Sequence, residues 1–548
     1  IMIHPEVVLI DKEENLEKVV PYYNTRRQIS QNKIRKLIRF VLDYLNKKRS
    51  EDIFDSNTLE LLDMPNHLDA LEHCHFPSAN SYKDALNIFE RARKRFVIEE
   101  LITRNLRIQD VKDKINRKKS YKYTFDKSEI VKFINSLSFK LTNSQYQAVD
   151  LICHNFLDDY ASTRLIQGDV GCGKTIVSAV SAYATYLSGL QTSFLAPTEL
   201  LVDQHYDYFK TLFNKTNIKI SYLKSSMPTK IKHQTLKNLK NGLIDIIIGT
   251  HSLLNPSVLF KQLGLCIIDE QHKFGINQRS SFVDNRDPSS NSPHILYMSA
   301  TPIPRSLALV LYQGLDYTTI KDMPRGRKHI ITERVCPNSR DKMYFKINQR
   351  LDIGEQVFWV CPSINISESS ELESIYSTHD IISKVFIGSK ISVLHGQLDD
   401  KTQANTIKKF RDGKIDILVC TTVIEVGVDI PNATCIVVED SNRFGLSQLH
   451  QIRGRVGRSS SQGYCYLAHS NNLNEDADRR LNSLVSHYDG FKLAEEDLLI
   501  RGSGDYFGSR QSGHLNNFKL ATLQDFIANA DITKNLQSNI STLSDTTR

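Results

Sequence analysis

The sequence predicts an α/β protein with two parallel-sheet lobes in tandem, a helical amino-terminal region, and a carboxy-terminal helical hairpin followed by a loop. Three observations carry that prediction. At 548 residues the chain is too long for one hydrophobic core and implies three or four domains of roughly 150 residues each. Strand-length apolar runs alternate with helix-length stretches across 136–325 and again across 326–470, the pattern of parallel strands covered by helices on both faces. Between the apolar run Leu165, Ile166 and the apolar segment that starts at Ile176 lies GDVGCGKT, Gly168 to Thr175, which fits the phosphate-binding loop pattern.

Residues 1–135 read as the end of a β-rich module followed by a basic helical linker. Short apolar pieces (Val7 to Ile10, Val19, Val20) are broken by acidic clusters. Ile34, Leu37, Ile38, Val41, Leu42 and Leu45 then recur at helical spacing, with Ser30 as the N-cap. Nine Lys or Arg lie between Arg26 and Arg49 against Asp43 alone, a face suited either to solvent or to phosphate. Ala85, Phe89, Ala92 and Phe96 form a second stripe, interleaved with Arg91, Arg93, Lys94 and Arg95. A further Lys- and Arg-rich run from Arg104 to Lys122 suits a linker helix along which nucleic acid lies.

Composition excludes several classes. Seventy Lys and Arg against sixty-two Asp and Glu give a formal charge of +8, compatible with a polyanionic partner without requiring one. Nine scattered cysteines with no C-x-x-C pair suit buried thiols of a reducing compartment, so no disulfide framework and no structural metal are expected. No apolar run reaches the roughly 18 residues of a membrane span, and IMIHPE has no signal architecture, so a cytoplasmic protein without a membrane partner is expected. The start at Ile1 suggests a fragment.

The chemistry begins at the loop. Gly168, Gly171 and Gly173, with Asp169, Val170 and Cys172 between them, let backbone N–H groups curl around phosphate oxygens. Lys174 reaches the terminal phosphates, and Thr175 offers a hydroxyl to magnesium. The following helix points its positive end at the same anion. Leu263 to Ile268 is a buried-strand candidate that ends in Asp269 and Glu270. A carboxylate there can hold magnesium, and its neighbour can orient and deprotonate the attacking water, so Asp269 and Glu270 are read as metal ligand and base. The bland alternative, a surface acidic pair, does not explain the apolar strand before it.

DEQH at 269–272 with Ser299, Ala300 and Thr301 resembles motifs II and III of superfamily 2 helicases. Other motifs follow in that superfamily's order. Gln145 in LTNSQ resembles the glutamine that reads adenine; Pro197 and Thr198 in APTE, and Thr250 and His251 after Gly249, resemble motifs that touch the nucleic-acid backbone. TTVIEVGVDIP at 421–431 resembles motif V, which implies Thr421 and Thr422 near nucleic acid and Asp429 near nucleotide. QIRGRVGR resembles motif VI, implying Gln451 at the site and Arg455 and Arg458 as arginine fingers from a second lobe that has no phosphate loop of its own. The resemblance implies two RecA-like lobes, 136–325 and 326–470, with ATP and Mg2+ between them.

SATPIPRSL at 299–307, LHGQL at 394–398 and NRFGLSQLHQIRGRVGRS at 442–459 resemble the RecG family of bacterial branch-migrating DNA helicases and, less closely, transcription-repair coupling factors. GFKLAEEDLLIRGSGDYFGSRQSG at 490–513, within the tail 471–548, resembles the translocation motif of those two families. Arg501, Arg510 and Gln511 are the residues expected to transmit the stroke, on a loop whose glycines allow close approach to a duplex. The family carries an oligonucleotide-binding wedge ahead of the segment that resembles IMIHPE, so a missing or truncated wedge is expected; Ser503 stands where the family commonly has proline. The resemblance implies a monomer that reverses forks and migrates Holliday junctions on branched or double-stranded DNA, with single-stranded DNA-binding protein as a partner. The alternatives are an RNA helicase of the same superfamily and an inactive nucleotide- or DNA-binding remnant of a split gene.

Overall fold

The computed structural model describes residues 21–23, 29–48, 52–79, 81–115, 118–270, 291–300, 315–324, 326, 328–362, 368–421, 430–457, 461–505, 519–522, 525, 528, 529, 532, 533 and 536. They form two compact units, residues 1–110 with 514–548, and residues 111–513. Among the described residues no helix is long and apolar enough to cross a membrane. The apolar pieces at 7–10 and 19–20 lie outside the described residues.

The first unit is helical: α1 (Gln31–Lys48), α2 (Ser56–Leu61), α3 (His67–His75) and α4 (Tyr82–Ile115). Gln31 opens α1, and the Ser30 carbonyl accepts from Ile34 N at 3.2 Å, as an N-cap residue does. Of the stripe on α1, Leu42 is buried, whereas Leu37 and Val41 are 62% and 44% exposed. Phe54, Met64, Ile98 and Ile102 form the core beneath α4. The cations interleaved along α4 are taken up inside this unit. Arg95 is fully buried between Asp52 (2.5 Å) and Glu99 (3.0 Å), with its guanidinium over the Phe54 ring. Such burial requires pairing, because an isolated charge would cost several kcal/mol to desolvate. Arg93 forks onto both oxygens of Asp525, Lys94 donates to the Leu62 carbonyl, and Arg91 pairs with Asp63. The backbone N–H groups of Lys519, Leu520 and Ala521 all donate to Glu100.

The second unit holds two all-parallel sheets. The first, in the order β3-β4-β2-β5-β6-β1-β7, contains β1 (Thr163–Gly168), β2 (Gln191–Leu195), β3 (Ile220–Leu223), β4 (Ile246–Gly249), β5 (Leu263–Ile268), β6 (His294–Ser299) and β7 (Asp316–Ile320). Its strands are apolar on both sides because both faces are covered. Ile166, Phe194, Ile248, Ile267 and Met298 face one core, while Leu165, Leu195, Ile247, Ile268 and Tyr297 face the other. Helices α5 (Lys127–Asn135), α6 (Asn143–Phe156), α7 (Lys174–Leu187), α8 (Glu199–Leu212) and α9 (Thr229–Lys240) accompany this sheet.

The second sheet runs β10-β11-β9-β12-β13-β8, from β8 (Ile331–Val335), β9 (Gln356–Val360), β10 (Ile391–Leu394), β11 (Ile417–Cys420), β12 (Ala433–Val438) and β13 (Tyr464–Ala468). Of the apolar runs across 326–470, those at 357–360, 391–394 and 435–438 lie on β9, β10 and β12, and the run that begins at Ile415 enters β11 at Ile417. The Asp416 and Ile417 N–H groups both donate to the Lys390 carbonyl at the entrance of β11. Helices α10 (Arg340–Asp352), α11 (Glu368–Val385), α12 (Asp400–Arg411) and α13 (Leu446–Arg453) belong to this lobe. Then α14 (Glu475–Ser486) and α15 (Gly490–Asp505) form the expected helical hairpin, with Leu481, Leu484 and Leu493 buried in this lobe's core. All nine cysteines are free thiols.

One buried histidine in the first sheet sets an acid limit. His294 is fully buried against Tyr123 and Phe156, its Nδ1 accepts from Ser162 N at 3.1 Å, and its Nε2 finds no partner among the described residues. Burial pushes the imidazole down to about 3. An unfolded histidine takes its proton near 6.5, so between those values the unfolded chain binds a proton that the folded chain refuses. Stability therefore falls as pH falls from 6.5, by about 2 kcal/mol from this residue at pH 5. His294→Asn keeps an acceptor for Ser162 and removes the titration. Thermal melts from pH 7 to pH 5 are expected to show a flatter pH slope in that variant; an unchanged slope would refute the assignment.

Candidate active site

The phosphate loop leaves the carboxyl end of β1 and enters α7, as the glycine spacing requires. Gly173 has φ +88°, a left-handed conformation that L side chains rarely adopt, and a Cβ there would collide with the Gln145 amide. Gln145 is buried beneath the loop: its Nε2 donates to the Cys172 carbonyl at 2.7 Å and its Oε1 accepts from Thr142 N at 2.9 Å. The glutamine expected to read adenine thus braces the loop in this structure and closes a capping box on α6. Lys174 Nζ donates to the carbonyls of Gly168 (2.7 Å) and Asp169 (3.0 Å), so the ammonium sits inside the loop. Thr175 is the second residue of α7.

Asp269 and Glu270 leave the carboxyl end of β5, separated from β1 by β6 alone, so both motifs lie at one edge of the sheet. Crevices at that edge are where open parallel sheets bind ligands. Asp269 Oδ2 meets His205 Nε2 at 3.0 Å, and Oδ1 accepts from Glu270 N at 3.0 Å. Burial raises the Asp269 carboxyl, but the His205 hydrogen bond and charge, together with Lys174, hold it below its ordinary value and keep it ionised. Glu270 has φ +51°, the left-handed region for a non-glycine residue. Backbone strain of this kind costs of order 1–3 kcal/mol and clusters at functional sites. The oxygen donors of Thr175 and Asp269 suit magnesium, which takes one or two protein ligands and completes its shell with water and phosphate.

Thr198 and Thr250 follow β2 and β4 at the same edge, farther from β1. The Thr198 hydroxyl caps α8 by accepting from Leu201 N at 3.4 Å, and Pro197 precedes it. Thr250 is buried and His251 exposed. In the second lobe Thr421 is buried after β11, its N–H donating to the Leu394 carbonyl at 3.3 Å. Thr422, Asp429, Arg458, Arg510 and Gln511 lie outside the described residues, as do 271, 272 and 301; Arg501 falls on α15.

The two lobes touch at the loop itself. Gly454 ends α13 against Val170, and Gln451 and Arg455 flank that point, both buried. Asp169 is nearly buried and is held from the second lobe: Oδ1 meets His450 Nε2 at 2.5 Å, and Oδ2 accepts from the Gly490 N–H at 3.2 Å. Burial raises the Asp169 carboxyl, but His450, the Val170 N–H and Lys174 outweigh it and hold the group below its ordinary value. Behind His450, Arg453 donates to His450 Nδ1 (3.0 Å), to the carbonyl of Leu484 in the last turn of α14, and to those of His487 and Tyr488 in the hairpin turn.

His205, His450, Arg453 and Gly490 were not singled out from the sequence. Arg453 stands inside the motif that supplied Gln451 and Arg455 and His450 immediately precedes it, and a spacing of three places them on one helix face, a signal available in the letters. The pairing of His205 with Asp269, 64 residues on, has no local signature.

Residues 142–310 match the DEAD/DEAH box helicase family and residues 342–460 the helicase conserved C-terminal domain. The chain is 38% identical over 535 residues to the ATP-dependent DNA helicase RecG of Aquifex aeolicus, covering 95% of this chain and 67% of the relative. It is 36% identical over 513 residues to RecG of Bacillus subtilis, covering 92% of this chain and 73% of the relative. Among solved structures it resembles a RecG bound to a three-way DNA junction, with TM-score 0.70 and 34% identity over 94% of this chain and 66% of that one. The chain thus spans about two thirds of the length of the proteins it matches.

Proposed function

The chain belongs to the RecG family of ATP-dependent DNA helicases, and from that premise we propose that it is an ATP-driven translocase on duplex DNA that remodels branched DNA, by fork reversal and junction migration. The observation that carries the proposal is the seating of the phosphate loop against α13 and the hairpin, Asp169 touching both His450 and Gly490. A change at the loop therefore reaches the hairpin through direct contacts.

In this reading Lys174 leaves the loop carbonyls for the terminal phosphates, and Glu270 orients and deprotonates the attacking water. Arg455 and Arg458 meet charge that develops on the transferred phosphoryl group. Thr175 and Asp269 would hold magnesium, which would supply positive charge against the phosphates. Gln145 and Asp429 complete the nucleotide side, and His205 orients Asp269. Pro197, Thr198, Thr250, His251, Thr421 and Thr422 contact the DNA backbone, where hydroxyls and backbone N–H groups bind phosphate without reading sequence. Arg501, Arg510 and Gln511 pass the stroke to the duplex. A single chain is the working unit, in the cytoplasm, and single-stranded DNA-binding protein is its partner by family resemblance.

The test is ATP turnover with no nucleic acid, with a three-way DNA junction, with linear duplex, and with RNA. Junction DNA is expected to stimulate turnover at least tenfold over none. Stimulation by RNA alone would favour an RNA helicase, and ATP binding without DNA-stimulated turnover would favour a remnant.

A further inference from the structure

A carboxylate inside a phosphate-binding loop is out of place electrostatically, because its charge has the same sign as the anion the loop must hold. Asp169 is such a carboxylate, and it is not solvated: it is nearly buried, with Oδ1 on His450 Nε2 and the Val170 N–H and Oδ2 on the Gly490 N–H. Two of those three donors belong to the second lobe and its hairpin. The Gly490 N–H is also the first of α15, so Asp169 sits at a helix N-terminus, where negative charge is favoured.

The proton on His450 follows from its neighbours. A guanidinium only donates, so the Arg453 contact makes His450 Nδ1 an acceptor and places the ring's proton on Nε2, pointing at Asp169. His450 thus accepts on one side and donates on the other, and no apolar side chain can do both. On the loop side, Lys174 holds the carbonyl of the same residue, Asp169. Phosphates that draw Lys174 away release that carbonyl and disturb the peptide whose side chain His450 and Gly490 grip.

We propose that His450 is a positioning residue that senses, through Asp169, whether the phosphate loop is occupied and fixes the hairpin turn accordingly through Arg453. Its role is separate from the arginines that face the phosphoryl group, and it rests on the translocase reading above. Loss of His450 uncouples hydrolysis from movement, so that less movement follows each ATP hydrolysed.

The experiment compares the full chain with His450→Phe, which keeps a ring but neither donates nor accepts, and His450→Gln, which does both. ATP turnover with junction DNA gives kcat and KM, and displacement of a third strand from a DNA triplex gives movement per ATP. His450→Phe is expected to lower movement per ATP at least tenfold, a ratio that does not depend on the rate of hydrolysis, and His450→Gln to restore most of the movement. Equal movement per ATP in His450→Phe and the unsubstituted chain overturns the proposal, as does an equal loss in His450→Gln and His450→Phe. Amide hydrogen exchange at 484–490, with and without a non-hydrolysable ATP analogue, needs no DNA. The analogue is expected to change exchange there in the unsubstituted chain and not in His450→Phe; an equal change in both, or none in the unsubstituted chain, overturns the proposal. If DNA never stimulates turnover in the unsubstituted chain, the translocase reading has failed, and the exchange comparison still decides the role of His450.

Discussion

Lys174→Ala is expected to hydrolyse ATP on the order of 10²–10³-fold more slowly than the unsubstituted chain, the usual cost of removing one preorganised charge at a phosphoryl-transfer site. Glu270→Gln is expected to lose on the order of 10²–10⁴-fold, the range for a positioned general base. The two losses differ in kind. Lys174 is held by the carbonyls of its own loop, so the alanine chain loses a ligand for phosphate both before and during the reaction, and KM for ATP rises as kcat falls. Glu270 does not belong to the loop; it sits past β5 in a left-handed conformation that glutamine reproduces equally well. Its amide keeps the size of the carboxylate and loses only the ability to take a proton. ATP binding should therefore survive in Glu270→Gln, while single-turnover hydrolysis does not. Nucleotide titrations alongside single-turnover assays separate the cases. A glutamine variant within threefold of the unsubstituted rate would remove Glu270 from the reaction.

What the sequence made legible is what local pattern can encode. GDVGCGKT specifies a loop because only glycine tolerates φ +88° against Gln145. Buried parallel strands announce themselves as apolar runs, and β5 falls on Leu263–Ile268 as expected because every one of its residues is buried. The tail was legible as a hairpin because Leu481, Leu484 and Leu493 supply the stripe that packs on the second lobe. What stayed hidden was pairing across distance. Asp169 reads as one free position in a loop motif, yet its partners are 281 and 321 residues away. The basic residues of α4 show the same limit. In the sequence Arg93 and Arg95 are only cations interleaved with an apolar stripe, but in three dimensions they meet Asp525, Asp52 and Glu99. Charge density along a sequence does not reveal which charges are already matched.

Gly454→Ala tests the lobe contact with one methyl group. Gly454 is a right-handed helical residue at the end of α13, with φ −67°, so alanine fits the backbone and even favours it by roughly 0.5–1 kcal/mol relative to glycine. Folding of the second lobe should not suffer, and the melting temperature should hold or rise. The penalty falls across the lobes, because the new Cβ would stand 2.8 Å from Val170 Cβ and 3.0 Å from its Cγ1. Those atoms are the stem and first branch of a β-branched side chain on the phosphate loop, which cannot swing away. Relieving such overpacking costs about 1–3 kcal/mol, and here the relief is to move α13 off the loop. The expected result is a loss of about 10- to 100-fold in DNA-stimulated ATP turnover with no loss of thermal stability. Restoring contact from the other side separates this from damage to the loop. Val170→Ala leaves the offending Cβ in place and should not rescue Gly454→Ala, whereas Val170→Gly removes it and should. A double-mutant cycle in which glycine and alanine at 170 rescue equally would show that Gly454→Ala acts elsewhere than at the lobe contact.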